Sequence, residues 1–140
     1  MKMTKKQTEG LKWENVARKI LGLPQIDSIV CTDSYDIDFT EGGKHMFVEV
    51  KQVTKFEKSG QKFRVTITKA EFEVMKNNVD NYQLWVFVTD EHKELEHMTV
   101  IKGKRDIQKI IAAIMKKGHV SKYNKVSYKV LEKIAKVNYF

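Results

Sequence analysis

Two short runs of alternating apolar and polar residues, separated by a pair of glycines, constrain the fold of this sequence more than any other feature. The first run covers residues 35–40 and the second residues 46–51, with Gly42 and Gly43 between them. Alternation with a period of two is typical of a half-buried β-strand, and a Gly-Gly pair suits a tight hairpin turn. The sequence therefore predicts a β-hairpin within residues 34–52.

The polar positions of this hairpin have the composition of a hydrolytic site. Val48 and Val50 are predicted to point to one side of the sheet, and Glu49 and Lys51 to the other. Pairing of the two strands would bring Asp36 to the same polar patch. Two carboxylates can hold a hard divalent cation through oxygen, and an ammonium can orient water or offset charge on a phosphorane. This combination predicts metal-dependent hydrolysis of a phosphodiester.

Asp36 is the preferred aspartate of this patch, but Asp38 shares its face and stays open as a helper. A second alternative concerns the whole pattern, because an Asp followed by Glu-x-Lys is common by chance in lysine-rich chains. On that interpretation Glu49 and Lys51 form a surface ion pair of little energetic weight on a solvated sheet face.

The order of these residues resembles the PD-(D/E)xK nuclease superfamily, which includes many restriction endonucleases and the archaeal Holliday-junction resolvases. The acid of the first helix is Glu14, the strand aspartate is Asp36, and the Glu-x-Lys motif is Glu49-Val50-Lys51. The resemblance covers residues 10–89. It departs from the common pattern before the aspartate, where Tyr35 stands in place of proline.

The continuation after the motif is also similar to several small members of the superfamily. Residues 63–68 resemble the next strand, a Thr-x-x-Glu sequence ending at Glu71 opens a helix, and residues 82–86 resemble a Tyr-x-Leu strand. Thr68 and Glu71 also form a capping box, which explains Glu71 without chemistry. The glutamate is therefore left out of the predicted site.

The resemblance implies an α/β fold of the restriction-endonuclease kind, with a mixed sheet of about five strands flanked by helices. It also implies a DNA endonuclease dependent on Mg²⁺ or Mn²⁺, acting as a homodimer, with branched DNA as the expected substrate. The metal ligands would be Asp36, Glu49 and the backbone carbonyl of Val50. Lys51 would position water and stabilise the transition state, because a lysine is normally protonated at neutral pH. Glu14 would bind water or act as an outer ligand; the alternative is an exposed helix acid paired with Arg18.

Positive charge is concentrated at the C-terminal end of the sequence. Residues 1–101 contain 15 Lys and Arg against 16 Asp and Glu, whereas residues 102–140 contain 11 against 2. Basic surface is the electrostatic signature of a polyanion ligand, and DNA is the first candidate. The candidate contacts to nucleic acid are Lys55, Lys58, Lys62, Lys104, Arg105 and Lys109.

Two other function classes stay open from the charge distribution. One is a nucleic-acid-binding protein on the same fold whose catalytic site is degenerate, and the other is a protein-interaction domain whose basic tail contacts an acidic partner. Three tyrosines among the C-terminal lysines could stack on bases, although packing is the usual role of this side chain. They are Tyr123, Tyr128 and Tyr139.

Length and composition predict a single domain over residues 1–140, with a core over 1–101 and a basic helical part over 102–140. No apolar run is long enough to span a bilayer, and the first six residues lack a hydrophobic signal region. Cys31 is the only cysteine, so it has no internal disulfide partner. These features predict a cytoplasmic, reducing location and no association with a membrane.

The remaining patterns predict the other secondary-structure elements. Strands are expected at residues 26–32, 63–68, 82–88 and 97–101, and helices at 5–21, after Thr68 to about Asn78, and along the apolar stripe 107–115. A last helix is expected from Ser127, although residues 126–130 also alternate like a strand.

Overall fold

The computed structural model describes residues 4–27, 35–55, 64–135 and 137–138. The elements in chain order are α1 (Lys5–Leu21), β1 (Ile37–Glu41), β2 (Lys44–Thr54), β3 (Arg64–Thr68), α2 (Lys69–Asn77), β4 (Tyr82–Thr89), β5 (Leu95–Lys102), α3 (Lys104–Met115), β6 (Tyr123–Ser127), α4 (Tyr128–Ile134) and β7 (Val137–Asn138). Five strands form a sheet in the order β1-β2-β4-β5-β7, and β3 pairs with β6 in a second sheet. The predicted α/β fold with a mixed sheet of about five strands is confirmed.

The predicted hairpin is confirmed as β1 and β2. The two strands are antiparallel, with Ile37 opposite Val48 and Glu41 opposite Lys44. Gly42 and Gly43 form the turn with φ angles of 58° and 78°. Positive φ at both central positions is the geometry that a two-residue hairpin requires and that glycine adopts without strain.

Strand β4 lies at the centre of the larger sheet. It pairs in parallel with β2 and antiparallel with β5, and all eight of its residues are buried. The parallel pairing requires a crossover, which β3 and α2 provide on one face of the sheet. The prediction of a buried central strand at residues 82–88, with Trp85 in the core, is confirmed.

Helices cover both faces of this sheet. Helix α1 covers one face, where Trp13 and Ala17 pack with Val48, Trp85 and other buried residues. Helices α2, α3 and α4 cover the opposite face together with β3 and β6. Over the described ranges, none of these helices combines the length and apolar character that crossing a lipid bilayer demands.

The predicted bounds of the first helix are confirmed. It begins at a capping box formed by Thr4 and Gln7, and it ends at Gly22, whose φ of 74° is left-handed. Its predicted apolar stripe is only partly buried, because Ile20 is 46% exposed. Of the strand expected at residues 26–32, the two described residues are not in a strand, and residues 28–32 lie outside the described part of the chain.

The ambiguous segment near Ser127 contains both of the elements considered for it. Strand β6 ends at Ser127, whose side chain then caps α4. Tyr128 is 4% exposed and packs in the core, whereas Tyr123 is 58% exposed. Met115, assigned to the apolar stripe of α3, is 51% exposed. Tyr139 lies outside the described residues.

A buried amide joins the two strands of the smaller sheet. The side chain of Asn124 in β6 donates to the carbonyls of Ile67 at 3.0 Å and Ser121 at 2.8 Å, and it accepts from the Ser121 N–H at 2.9 Å. Since Ile67 directly precedes the N-cap of α2, this amide also fixes where α2 begins. Asn124 is 5% exposed, so water cannot easily replace these bonds.

We expect Asn124→Ala to lower the free energy of unfolding by about 2 kcal/mol, because the buried carbonyl of Ile67 and the part-buried carbonyl of Ser121 would lose their donor. Urea denaturation measures this change. Lys125→Ala, an exposed neighbour in the same strand, is the control and should change stability by less than about 0.5 kcal/mol. Equal stability of the two variants would show that the amide does not anchor β3 to β6.

Candidate active site

Asp36 lies beside β2 immediately before β1 begins. Its backbone N–H donates to the carbonyl of Val48 at 3.0 Å. Its carboxylate Oδ2 accepts the N–H of Val50 at 2.8 Å. The carboxylate is therefore held at the edge of β2, next to the motif residues that follow.

Glu49 and Lys51 point to the same face of the sheet, as predicted from their alternation with Val48 and Val50. The Lys51 Nζ lies 3.3 Å from the Glu49 Oε1. Glu49 is 3% exposed, and 19% of the Lys51 side chain is exposed. The interpretation of these residues as a surface pair on a solvated sheet face is therefore wrong, because both side chains are largely removed from water.

Glu71 completes the surroundings of the Lys51 ammonium. Its two carboxylate oxygens lie 3.0 and 3.1 Å from the Lys51 Nζ. One of them also accepts the backbone N–H of Thr68 at 2.9 Å, so the predicted capping box is confirmed. Capping alone was the sequence interpretation of Glu71, and the structure adds a contact with Lys51, so one carboxylate performs both tasks.

Glu14 approaches the same region from α1. It is 4% exposed, and its Oε2 lies 3.1 Å from the Nε of Arg18. Burial raises the pKa of Glu14, and the negative charge of Asp36 raises it further. The pair with Arg18 is thus present, but the alternative of an exposed helix acid is wrong because Glu14 is buried. Glu14 also lies within electrostatic reach of Asp36.

Asp38 and Gln52 make their side-chain contacts outside this cluster. Asp38 is half-exposed, and its Oδ2 lies 3.3 Å from the Nε2 of His45. Gln52 donates to the hydroxyls of Thr54 and Thr89 at 2.9 and 2.7 Å. Of the two aspartates, the structure therefore brings Asp36 to the Glu-x-Lys motif.

The candidate contacts to nucleic acid are spread over the surface. Lys55 lies 3.5 Å from Glu96 in an exposed ion pair. Lys104, Arg105 and Lys109 are exposed on α3. Lys58 and Lys62 lie outside the described residues.

Burial and neighbouring charges shift the pKa values of the clustered groups in different directions. Desolvation raises the pKa of Asp36 and raises that of Glu49 well above its usual range, with the neighbouring carboxylates adding to the shift at Glu49. Burial opposes the charge of Lys51, but the carboxylates of Glu49 and Glu71 outweigh it and raise its pKa. The pKa of Glu71 is lowered: burial opposes ionisation, but hydrogen bonding with Glu49 and the charge of Lys51 prevail. Lys51 is thus charged, and Glu49 is the carboxyl most prone to hold a proton.

One more buried group lies near these charges and was not considered from sequence. Tyr82, the first residue of β4, is fully buried. Burial raises its pKa well above the usual range, and the carboxylates of Glu49, Glu71 and Asp36 raise it further. Its phenol therefore stays protonated beside the cluster.

Asp36 and Glu49 are the side chains of this cluster that could hold a divalent cation. The Oε2 of Glu49 is buried and has no hydrogen-bond donor. With Asp36, Glu49 and Glu71 ionised around a single ammonium, two negative charges would be in excess. A cation of charge +2 would remove that excess, and hard carboxylate oxygens suit Mg²⁺.

Among the described residues, no group of three or more His, Cys, Asp or Glu side chains is arranged to hold a metal ion. Two carboxylates with one carbonyl is a ligand set that Mg²⁺ completes with water and phosphate oxygens.

Comparison with known proteins gives one finding for this chain. The family model described as "Protein NO VEIN, C-terminal" matches residues 2–101, more than two thirds of the 140 residues. The matched range contains every residue of the cluster described above. Neither the curated proteins nor the solved structures contain a match to the chain.

We expect the metal-free protein to lose stability as the pH rises from about 4.5, the usual pKa of a glutamic acid, through the raised pKa of Glu49. The reason is that the unfolded chain releases a proton that the folded protein retains. Glu49→Gln removes this titration, so it should flatten the dependence and stabilise the protein at neutral pH by about 1 kcal/mol. Urea denaturation with EDTA between about pH 5 and pH 7.5 measures the effect.

Glu73→Gln, on the exposed side of α2, is the matched control for this substitution. It should leave the pH dependence of the wild-type protein unchanged. A Glu49→Gln variant that is less stable than wild type at neutral pH would show that the ionised Glu49 carboxylate does not destabilise the folded protein.

Proposed function

This chain belongs to the family of the C-terminal domain of protein NO VEIN, and within that family we propose that it is a metal-dependent DNA endonuclease of the PD-(D/E)xK kind. The observation that supports this most directly is that Asp36 and Lys51 both interact with Glu49, whose Oε2 is buried and has no hydrogen-bond donor. An unsatisfied buried polar atom is costly, and a cation bound at this oxygen would offset that cost. A cation-binding site requires a carboxylate oxygen that no hydrogen-bond donor already occupies.

Asp36, Glu49 and the backbone carbonyl of Val50 are the groups that would hold Mg²⁺ or Mn²⁺. When bound, the cation supplies Lewis-acid polarisation of the phosphate and lowers the pKa of a water molecule. The Val50 N–H orients the Asp36 carboxylate through its 2.8 Å hydrogen bond. Because Val50 lies between Glu49 and Lys51, one peptide unit sets the relative positions of all three motif side chains.

Lys51 supplies the positive charge of the proposed site. Its pKa is raised by the surrounding carboxylates once their attraction has outweighed burial, so it remains an ammonium at neutral pH. It therefore orients water and offsets charge on the phosphorane, and it does not act as the general base. Glu71 holds this ammonium with both oxygens and is a positioning residue.

Glu14 has a secondary place in this proposal. Its carboxylate is buried and paired with Arg18, and the negative charge of Asp36 helps to raise its pKa. A group in that position can order a water molecule at the outer side of the metal. It would adjust the site without being one of its inner ligands.

DNA is the proposed substrate because of the charge carried by residues 102–140. This region contains 11 basic against 2 acidic residues, and it begins where the family match ends. Its helix α3 packs against α2, the helix that carries Glu71. We propose that phosphates contact Lys104, Arg105 and Lys109, with Lys55, Lys58 and Lys62 supplying further contacts. Two sites in a homodimer would cut both strands, and branched DNA is the proposed substrate form.

We expect the wild-type protein to cleave DNA in the presence of Mg²⁺ or Mn²⁺ and to stop when EDTA is added. Lys51→Ala and Asp36→Asn should each lower the cleavage rate by at least about 100-fold, because each removes charge that acts on the transition state. Gel-based cleavage of linear and four-way branched DNA measures both the rate and the substrate preference.

Asp38→Asn is the matched control, since Asp38 lies two residues from Asp36 on a half-exposed part of the same hairpin. Its cleavage rate should stay within about twofold of wild type. DNA that is bound but never cleaved, by wild type and Lys51→Ala alike, would instead support a nucleic-acid-binding protein with a degenerate site.

We expect the affinity for DNA to fall steeply as salt is added. Replacing both Lys104 and Arg105 by alanine should reduce the slope of log K against log salt by about 1.8, because two phosphate contacts would be lost. Fluorescence anisotropy over a salt series measures the slope. Lys12→Ala with Lys19→Ala, two exposed lysines of α1, should leave it unchanged. A shallow slope in the wild-type protein would contradict phosphate contact by α3.

A further inference from the structure

Helices α3 and α4 leave an open groove between them, here called the α3–α4 groove. Its volume is about 420 Å³. Its lining consists of Lys109, Ala112, Ala113, Lys116, Val130, Lys133 and Ile134. All of these residues lie beyond residue 101, where the family match ends, and none belongs to the carboxylate cluster around Lys51.

The floor of the groove is apolar. Ala112 and Ala113 come from α3, and Val130 and Ile134 from α4. Val130 is 37% exposed, which is high for a β-branched aliphatic side chain next to a core. The two alanines leave the backbone of α3 accessible to close approach by another element. This floor gains free energy when a second apolar surface covers it.

The rim of the groove is basic. Lys109 from α3, Lys116 at the C-cap of α3 and Lys133 from α4 are exposed, and no acidic residue is among the lining residues. Lys109 lies 4.0 Å from Asp106, an i,i+3 pair of little energetic weight. In the part of the chain that the structure describes, no ion pair involves Lys116 or Lys133. The rim therefore presents three positive charges around an apolar centre.

The dimensions of the groove suit a short helix. From Lys109 to Lys116 the groove follows about 10 Å of the α3 axis, or two helical turns. A helix of two to three turns packed along it would place apolar side chains at positions i, i+3 or i+4, and i+7 on the floor. Its outer positions would then lie beside the three lysines, where acidic side chains are favoured.

We infer that the α3–α4 groove binds an acidic amphipathic helical segment of a partner protein. Such a segment covers the exposed valine and the alanines with its apolar face, and its carboxylates meet the lysines of the rim. This function goes beyond the proposed nuclease activity and does not depend on it.

The chemistry of the groove favours a protein segment over DNA. Lysines attract phosphates, but a phosphodiester backbone gains little from contact with alanine, valine and isoleucine side chains. The lining residues include no aromatic ring on which a base could stack. An amphipathic helix uses both the floor and the rim.

The experiment titrates the full chain with a designed peptide of about 14 residues that has leucine at helical spacing and glutamate at the remaining positions. One comparison peptide has the same composition in scrambled order. A second comparison peptide has lysine in place of glutamate. Amide chemical shifts locate binding, and fluorescence anisotropy gives the dissociation constant. A DNA duplex is titrated in parallel.

We expect only the acidic amphipathic peptide to bind, with shift changes confined to α3, α4 and their neighbours. Lys133→Glu should weaken its binding by about tenfold, whereas Lys129→Glu, the same charge change on α4 outside the lining, should weaken it by about twofold or less. Ala113→Glu, which places a charge on the apolar floor, should abolish binding. Circular dichroism confirms that each variant is folded.

Three outcomes would overturn the inference. The first is absence of binding by the acidic amphipathic peptide to the folded wild-type protein. The second is equal weakening by Lys129→Glu and Lys133→Glu, or equal binding of the scrambled peptide, since either result indicates general charge attraction. The third is DNA binding that Lys133→Glu and Ala113→Glu reduce far more than Lys129→Glu, which would make the groove a nucleic-acid surface.

Discussion

The largely buried ammonium of Lys51, held by both carboxylate oxygens of Glu71, is the interaction on which the rest of this structure depends. Removing charges from water is costly, and the cost is recovered only when the partners lie in close and well-oriented positions. Strand β2 supplies the lysine and one carboxylate, and the first turn of α2 supplies the other. The capping box at Thr68 and the amide of Asn124 fix the start of α2. The smaller sheet therefore helps to position the carboxylate of Glu71.

The elements that the sequence predicted well are those specified by local patterns. The Gly-Gly turn sets the register of β1 and β2, and Gly22 ends α1 where the apolar spacing stops. By contrast, the pairing of β3 with β6 joins residues about sixty positions apart in the chain, and no local pattern specifies such a contact. Helical spacing also overestimated burial at Ile20 and Met115, because periodicity gives a direction around the helix axis but not the extent of the surface packed against it.

The same distinction applies to the candidate site. Asp36, Glu49 and Lys51 could be grouped from sequence because one hairpin carries all three, and the register then separated Asp36 from Asp38. Glu71 could not be assigned in this way, since its capping role is visible locally and its contact with Lys51 is tertiary. The signal that could have revealed it is the crossover: a strand and helix between two parallel strands place the helix over one face of the sheet. That face is the one to which Lys51 points.

The position of Asp36 has a consequence for the evolution of this family. Its carboxylate satisfies the N–H of Val50 where β1 no longer covers β2, so it closes an otherwise open stretch of sheet edge. An acid at this position would benefit a relative with or without the proposed hydrolytic activity, because a free edge invites pairing with another chain. Retention of this aspartate is thus a poor marker of activity among relatives. Glu49, whose second oxygen has no such structural duty, is the more informative position to compare.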